Sequence, residues 1–238
     1  MTASESKEEF NLRYNNALEG APGLDVYEIS AYLTASQEEI VKQYYDASKS
    51  PESSFELKER SRRVLNELVK DEKITSQVSS TRGLVDDSKL YELSNDAMFI
   101  VLETVTMDGS VQKVIPTTHD EFMISYRNPF RKPNKNKAWR VDISKENSKT
   151  TVELVADREI TQYNIRYISN PDPIIVGDLT TDDEVGGLGL SINGKTSVAA
   201  CKLAELIHRE IINRAVELAV IDYREPSLQN KVTGNSRV

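Results

Sequence analysis

Cysteine, histidine and tryptophan are almost missing from this 238-residue chain, which has one Cys, two His and one Trp. A lone Cys201 excludes an internal disulfide framework and any zinc cluster built on cysteine. There is no apolar run of the roughly 20 residues a membrane-spanning helix needs, and the mean hydropathy is −0.49. The leader MTASESKEEF has neither a basic n-region nor an apolar core, so no secretory signal is expected. No Gly-x-Ser-x-Gly elbow and no Gly-Lys-Ser/Thr phosphate loop occurs. A surplus of base is missing too. The 38 acidic residues outnumber 30 basic ones, for a net charge of −8, which argues against wrapping nucleic acid electrostatically. Composition leads to the expectation of a soluble intracellular globular protein and to nothing more specific.

Periodicity then divides the chain. Residues 5–18 place Phe10, Tyr14, Ala17 and Leu18 at helical spacing, and Gly20-Ala21-Pro22-Gly23 breaks the run. Thr34 and Ser36, with Gln37 and Glu39 at capping-box distance, predict a helix start ahead of Ile40, Val41, Tyr44 and Tyr45. Lys49-Ser50-Pro51 ends that helix, and Ser53 with Glu56 predicts a further one carrying Leu57, Val64, Leu65 and Leu68. From about residue 74 the period changes to two. Asp108-Gly109, between Val101–Met107 and Ser110–Ile115, is a type I′ hairpin signal. Further strands are predicted at 138–143, 151–156 and 162–168, joined by connections that read as too short for parallel crossovers. An apolar stripe from about Ser197 to Tyr223 predicts a long helix stopped by Pro226. His208, within it, is expected to be partly exposed. The expected fold is α+β: N-terminal helices, a central mostly antiparallel sheet, a long C-terminal helix and a polar tail. Its segments are 1–73 (helical), 74–190 (β-rich), 191–225 (long helix packing with the N-terminal helices) and 226–238 (extended tail), forming one integrated domain.

No enzymatic constellation emerges, so no catalytic residue, cofactor-binding residue, metal ligand or cofactor is expected. His119-Asp120-Glu121 could bind a metal for hydrolysis only if a tight turn gathered all three. A turn capped after Pro116 is the simpler reading, with Thr117 and Thr118 supplying hydroxyls. Cys201, amid Ala199, Ala200 and Leu203, reads as a packing residue. Gly186-Gly187-Leu188-Gly189 lacks dinucleotide-loop spacing and reads as a linker. One basic island stands out, from Tyr126 to Arg140, with Arg127, Arg131, Lys132, Lys135, Lys137 and Arg140 interleaved with Tyr126, Phe130 and Trp139. Basic residues mixed with aromatics can track a nucleic-acid strand. A solvated hairpin tip reads better in an acidic chain. A third use is docking onto the acidic stretch Asp172–Glu184 of a neighbouring copy, as head-to-tail contacts between identical subunits require. The expected contact residues are Arg127, Phe130, Arg131 and Lys132 on one side and Asp178, Asp182 and Asp183 on the other.

The order of motifs also carries a resemblance. Phe10-Asn11-Leu12-Arg13-Tyr14-Asn15-Asn16 is followed by Gly23-Leu24-Asp25-x-Tyr27-Glu28-Ile29-Ser30 and Leu33-Thr34-x-x-Gln37-Glu38-Glu39-Ile40-Val41. Later come Thr118-His119-Asp120-Glu121-Phe122, Arg127-Asn128-Pro129-Phe130-x-x-Pro133, Trp139-Arg140 and Ile165-Arg166-Tyr167-Ile168-x-x-Pro171-x-Pro173-Ile174-Ile175. His208-x-Glu210-Ile211-Ile212-x-Arg214-Ala215-Val216-Glu217-Leu218-Ala219 completes the set. In this order they resemble virion structural proteins of crAss-like tailed bacteriophages, above all the neck rings between portal and tail. The resemblance implies a non-enzymatic virion protein made in the bacterial host cytoplasm. It implies a homo-oligomer of about twelve copies that contacts the portal and other ring or tail proteins. Genomic DNA would pass through it without sequence-specific binding, and no membrane is involved. The alternatives are a nucleic-acid-binding accessory protein and a tail-hub or head-completion protein. The resemblance supplies no interface residues.

Overall fold

The computed structural model describes residues 1–20, 22–47, 59–75, 77, 84–85, 88–146, 149–180 and 190–235, with backbone alone at 47, 144–146 and 225–235. In chain order the elements are α1 (Ala3–Ala17), α2 (Val26–Ala47), α3 (Glu59–Leu65), β1 (Val69–Ile74), β2 (Lys89–Glu92), β3 (Ala97–Met107) and β4 (Ser110–Pro116). Then follow α4 (His119–Ser125), β5 (Lys137–Glu146), β6 (Lys149–Val155), β7 (Ile160–Ser169) and α5 (His208–Asn235). Two compact units result, Met1–Leu68 with Pro171–Val238, and Val69–Asn170. The α+β class holds, with the sheet ending at Ser169 instead of near 190.

In the helical unit, α2 runs unbroken through Thr34 and Ser36, where a new helix was expected to start. Its start lies at Asp25, whose carboxylate accepts from the Glu28 N–H (2.7 Å) while Glu28 accepts from the Asp25 N–H (3.0 Å). The hydroxyls taken for caps serve tertiary contacts instead. Ile174 donates its N–H to Thr34 Oγ1 (3.1 Å), and Val176 donates to Ser30 Oγ (3.1 Å). Gln37 Nε2 donates to the Asp172 carbonyl (2.8 Å), and Ser36 Oγ donates to the Ile211 carbonyl on α5 (2.7 Å). Ser30, Thr34 and Gln37 stand four and three residues apart, on one helix face. That polar face pairs the buried backbone of the extended segment 172–176, which would otherwise carry unmatched amides.

The same segment explains why α5 starts late. Ile175 and Ala199 exchange both backbone hydrogen bonds at 2.9 Å, and Asn193 and Gly194 turn the chain with φ of 50° and 76°. Ala199 is thus held in a bridge and not in a helix, and the helix begins only at His208. His208 is 5% exposed, not the half-open residue expected, and its Nε2 sits 2.7 Å from the Leu203 carbonyl. At the other end α5 continues past Pro226 to Asn235. Proline has a helical φ and, in a helix interior, forfeits one backbone hydrogen bond and crowds the preceding turn without forbidding continuation. The Ser53–Glu56 cap expected for a further helix lies outside the described residues.

The sheet unit has strand order β1-β7-β3-β4-β5-β6-β2. Its hairpin forms as expected: Asp108 and Gly109 have φ of 48° and 75°, the two positive angles a type I′ turn demands. β1 (Val69–Ile74) falls mostly inside the expected helical segment 1–73. Its charged sequence lacks apolar alternation, and pairing with β7 makes it a strand. β4 and β5 run parallel, against the expectation of short connections throughout. Residues 117–136, including α4, are long enough for that crossover. All other pairings are antiparallel. Both edge strands contribute to one buried cluster, Ile74 from β1 and Tyr91 from β2 beside Val105, Val152, Leu154 and Tyr163. A flat sheet could not bring its two edges to one core, so the sheet curls around it.

Replacing Thr34 by Val removes the acceptor for the buried Ile174 N–H. The expected cost is about 1–3 kcal/mol, read as a lower urea midpoint, with Thr34→Ser retaining most of the stability.

Candidate functional site

The parallel crossover, residues 117–136, carries an exposed apolar and basic surface. Thr118 caps α4 by accepting from the Glu121 N–H (3.3 Å). The helix turns Phe122 and Ser125 inward, and Phe122 packs edge-on against Trp139, with Val141 and Val155 completing the cluster. Its outer side presents Met123 and Ile124, and Tyr126 and Phe130 follow, also exposed. Phe130 is 94% exposed. The loop around it is held by Asn128, which accepts on its carbonyl from the Arg131 and Lys132 amides (3.0 Å each) and on Oδ1 from the Phe130 amide (3.0 Å). Arg127, Arg131 and Lys132 flank this knob and are exposed.

The basic island therefore splits. Trp139 is 5% exposed and belongs to the core. The Arg140 side chain, 13% exposed, lies 2.9 Å from Glu103 and 3.0 Å from Asp142. Glu103 also accepts a hydrogen bond from the Tyr163 hydroxyl. Burial first, and the Glu103 charge second, push the Tyr163 hydroxyl well above its ordinary range, so it remains a donor. Arg140 sits on β5 and Glu103 on β3, so their pairing bridges β4, which lies between those strands. Two features that suggested a nucleic-acid strand, the third aromatic and the sixth cation, are structural. The knob keeps Arg127, Phe130, Arg131 and Lys132 together. Met123, Ile124 and Asn128 were not anticipated, because Phe122-Met123-Ile124 reads as one apolar run until packing assigns its faces.

Of the acidic stretch, Asp178 is exposed and its carboxylate accepts from the Thr180 amide (2.9 Å). Asp182 and Asp183 lie outside the described residues, as does the glycine run 186–189. Asp172 is engaged within the chain: it pairs with Lys195 and with Lys202 (2.6 Å). Hydrogen bonds from Lys195 and then Lys202 hold its carboxyl down at about 2. His119, Asp120 and Glu121 occupy successive positions of α4 and point apart, about 100° per residue, and His119 Nε2 lies 2.8 Å from the Asp142 carbonyl. Among the described residues no group of three or more His, Cys, Asp or Glu converges to hold a metal ion. Burial raises the half-buried Cys201 thiol, which keeps it protonated. Below the knob a groove of about 520 Å³ is lined by Lys89, Lys132 and Arg158 but also by Asp157 and Glu159. Its mixed charge selects no one ligand. Among the described residues no helix is long and apolar enough to cross a membrane.

The site is thus an exposed apolar and basic surface. A family model described as phage tail ring protein 3/4, of the crAss-like phages, matches residues 1–231. The chain belongs to that family. It is 33% identical over 229 residues to the protein named Ring protein 4/5 of Bacteroides phage crAss001, covering 94% of each chain. It is 34% identical over 221 residues to the same phage's Ring protein 3, covering 89% of each. The family is structural and not enzymatic, and its members are ring components of the virion. Ring membership implies oligomeric assembly with other phage tail ring proteins.

Two outcomes follow from the ion pairs. Arg140→Met leaves Glu103 buried without its cation and should cost about 3–5 kcal/mol, measured by chemical denaturation; adding Glu103→Leu should recover part of the loss. Because the Asp172 pKa is depressed in the folded chain, its stabilising contribution is full above about pH 4 and lost as pH falls towards 2. Lys195→Ala should move the Asp172 carboxyl upward in an NMR titration.

Proposed function

We propose that this chain is a subunit of a head-to-tail connector, a ring near the portal that extends the DNA channel and joins capsid to tail. The match to the ring family along nearly the whole chain carries this reading. A closed ring of about twelve copies would match a twelvefold portal axis. The net charge of −8 suits the role. A wall with surplus carboxylates repels phosphate, so DNA slides through without being held. The two crAss001 relatives carry ring names of their own, and in this reading the subunit stacks on other ring proteins of its phage.

Lateral contacts between subunits are assigned to the Arg127, Phe130, Arg131 and Lys132 surface, facing the Asp178, Asp182 and Asp183 stretch of the next copy. Residues 226–238 are assigned to an adjacent subunit or ring. Burial of Trp139 and Arg140 disfavours the rival reading of a nucleic-acid-binding accessory protein.

Immunogold labelling of virions tests the location. Label between capsid and tail is expected, whereas label at the distal tip would transfer the chain to a tail hub. Truncation before Pro226 should weaken stacking and leave the unfolding midpoint of the subunit unchanged, checked by particle mass and by thermal denaturation. Assembly unaffected by the truncation would remove the tail from the interface.

A further inference from the structure

Four large apolar side chains, Met123, Ile124, Tyr126 and Phe130, are exposed within eight residues of the sheet unit. A lone soluble protein seldom leaves such a cluster open, and a cluster ringed by polar groups marks an interaction surface. Phe130 is also held in place. Asn128 binds three backbone amides of the loop, among them that of Phe130 itself, and Lys137 Nζ donates to the Arg131 carbonyl (3.3 Å). A loop whose backbone is already fixed loses little freedom on binding and presents Phe130 in one place, as an interface anchor requires.

The occupant follows from charge. The segment from Tyr126 to Arg140 holds six basic residues and no acidic one, so the rest of the chain is more acidic than its overall −8. A neighbouring copy therefore carries a surplus of carboxylates outside this segment, the exposed Asp178 among them. Nucleic acid would supply negative charge as well, but Met123 and Ile124 have no ring to stack on bases. Asp172 is already paired with Lys195 and Lys202, so the receiving charge comes from other carboxylates.

We infer that Phe130, positioned by Asn128, is the anchor of the contact between copies of this chain. It docks on the carboxylate-bearing surface of the next subunit, while Arg127, Arg131 and Lys132 steer the encounter. This rests on the ring reading and adds to it the residue that holds neighbours together.

The test uses the full-length chain. Phe130→Ser should weaken self-association at least about 30-fold, as loss of an interface anchor does, measured by mass photometry and sedimentation. Its unfolding midpoint should not move, because Phe130 is open to solvent in the single chain. Asn128→Ala should weaken association less, and Arg131→Glu with Lys132→Glu should slow assembly and invert its salt dependence. A photo-crosslinking phenylalanine analogue at position 130 should join two copies of the chain. Unchanged assembly of Phe130→Ser overturns the proposal, as does a wild-type chain that stays monomeric without self-crosslinks. Salt-sensitive binding of a short DNA duplex that is lost in Phe130→Ser would overturn it in favour of nucleic acid. The ring reading stands or falls separately, on whether the chain is found between capsid and tail in purified virions.

Discussion

Arg140 reaches over a strand to which it does not belong, and the shape of the sheet unit depends on that reach. From β5 its guanidinium meets Glu103 on β3, with β4 between them. Removing either charge would leave the other buried, so β5 is held alongside β4 in the only parallel pairing among the described strands. A parallel neighbour cannot be joined by a tight hairpin. The chain must travel back over the sheet, and α4 and its following loop do so. The protruding knob is thus a by-product of strand order: the crossover lies outside because the inside is filled by the cluster shared by all the strands.

The helical unit solves a related problem by other means. The extended segment 172–176 needs partners for its amides and finds no strand ladder beyond the single bridge of Ile175 with Ala199. Ser30, Thr34 and Gln37 on α2 act as the missing neighbour. Side-chain hydroxyls are cheap to place on a helix surface, and once buried they are costly to remove. The two units therefore share a principle. Each satisfies buried polar groups across elements distant in sequence.

Legibility from sequence depended on whether the decisive contact was local. Asp108-Gly109 announced its hairpin because positive φ is a property of those two residues. Phe10 and Tyr14 announced α1 because helical spacing survives any packing. Thr34 and Ser36 misled because a hydroxyl before an apolar run has the same appearance whether it caps a helix or grips a distant backbone. β1 was invisible because its neighbour, β7, is some ninety residues away. The basic island was legible as composition, and its division was not: Trp139 and Arg140 turn inward only because α4 and Glu103 are there to meet them.

What the sequence determined by itself was therefore the inventory and the lineage. It set an acidic chain with one cysteine, a helix–sheet–helix order, and motifs in the order of the crAss-like ring proteins. Only the tertiary structure decided which of the six cations and three aromatics of the island are available to a partner. Charge and periodicity are additive along a chain, so they can be counted from its residues. Exposure belongs to the whole packed unit, and no residue near Phe130 in sequence could have fixed that it stands out while Trp139 is covered.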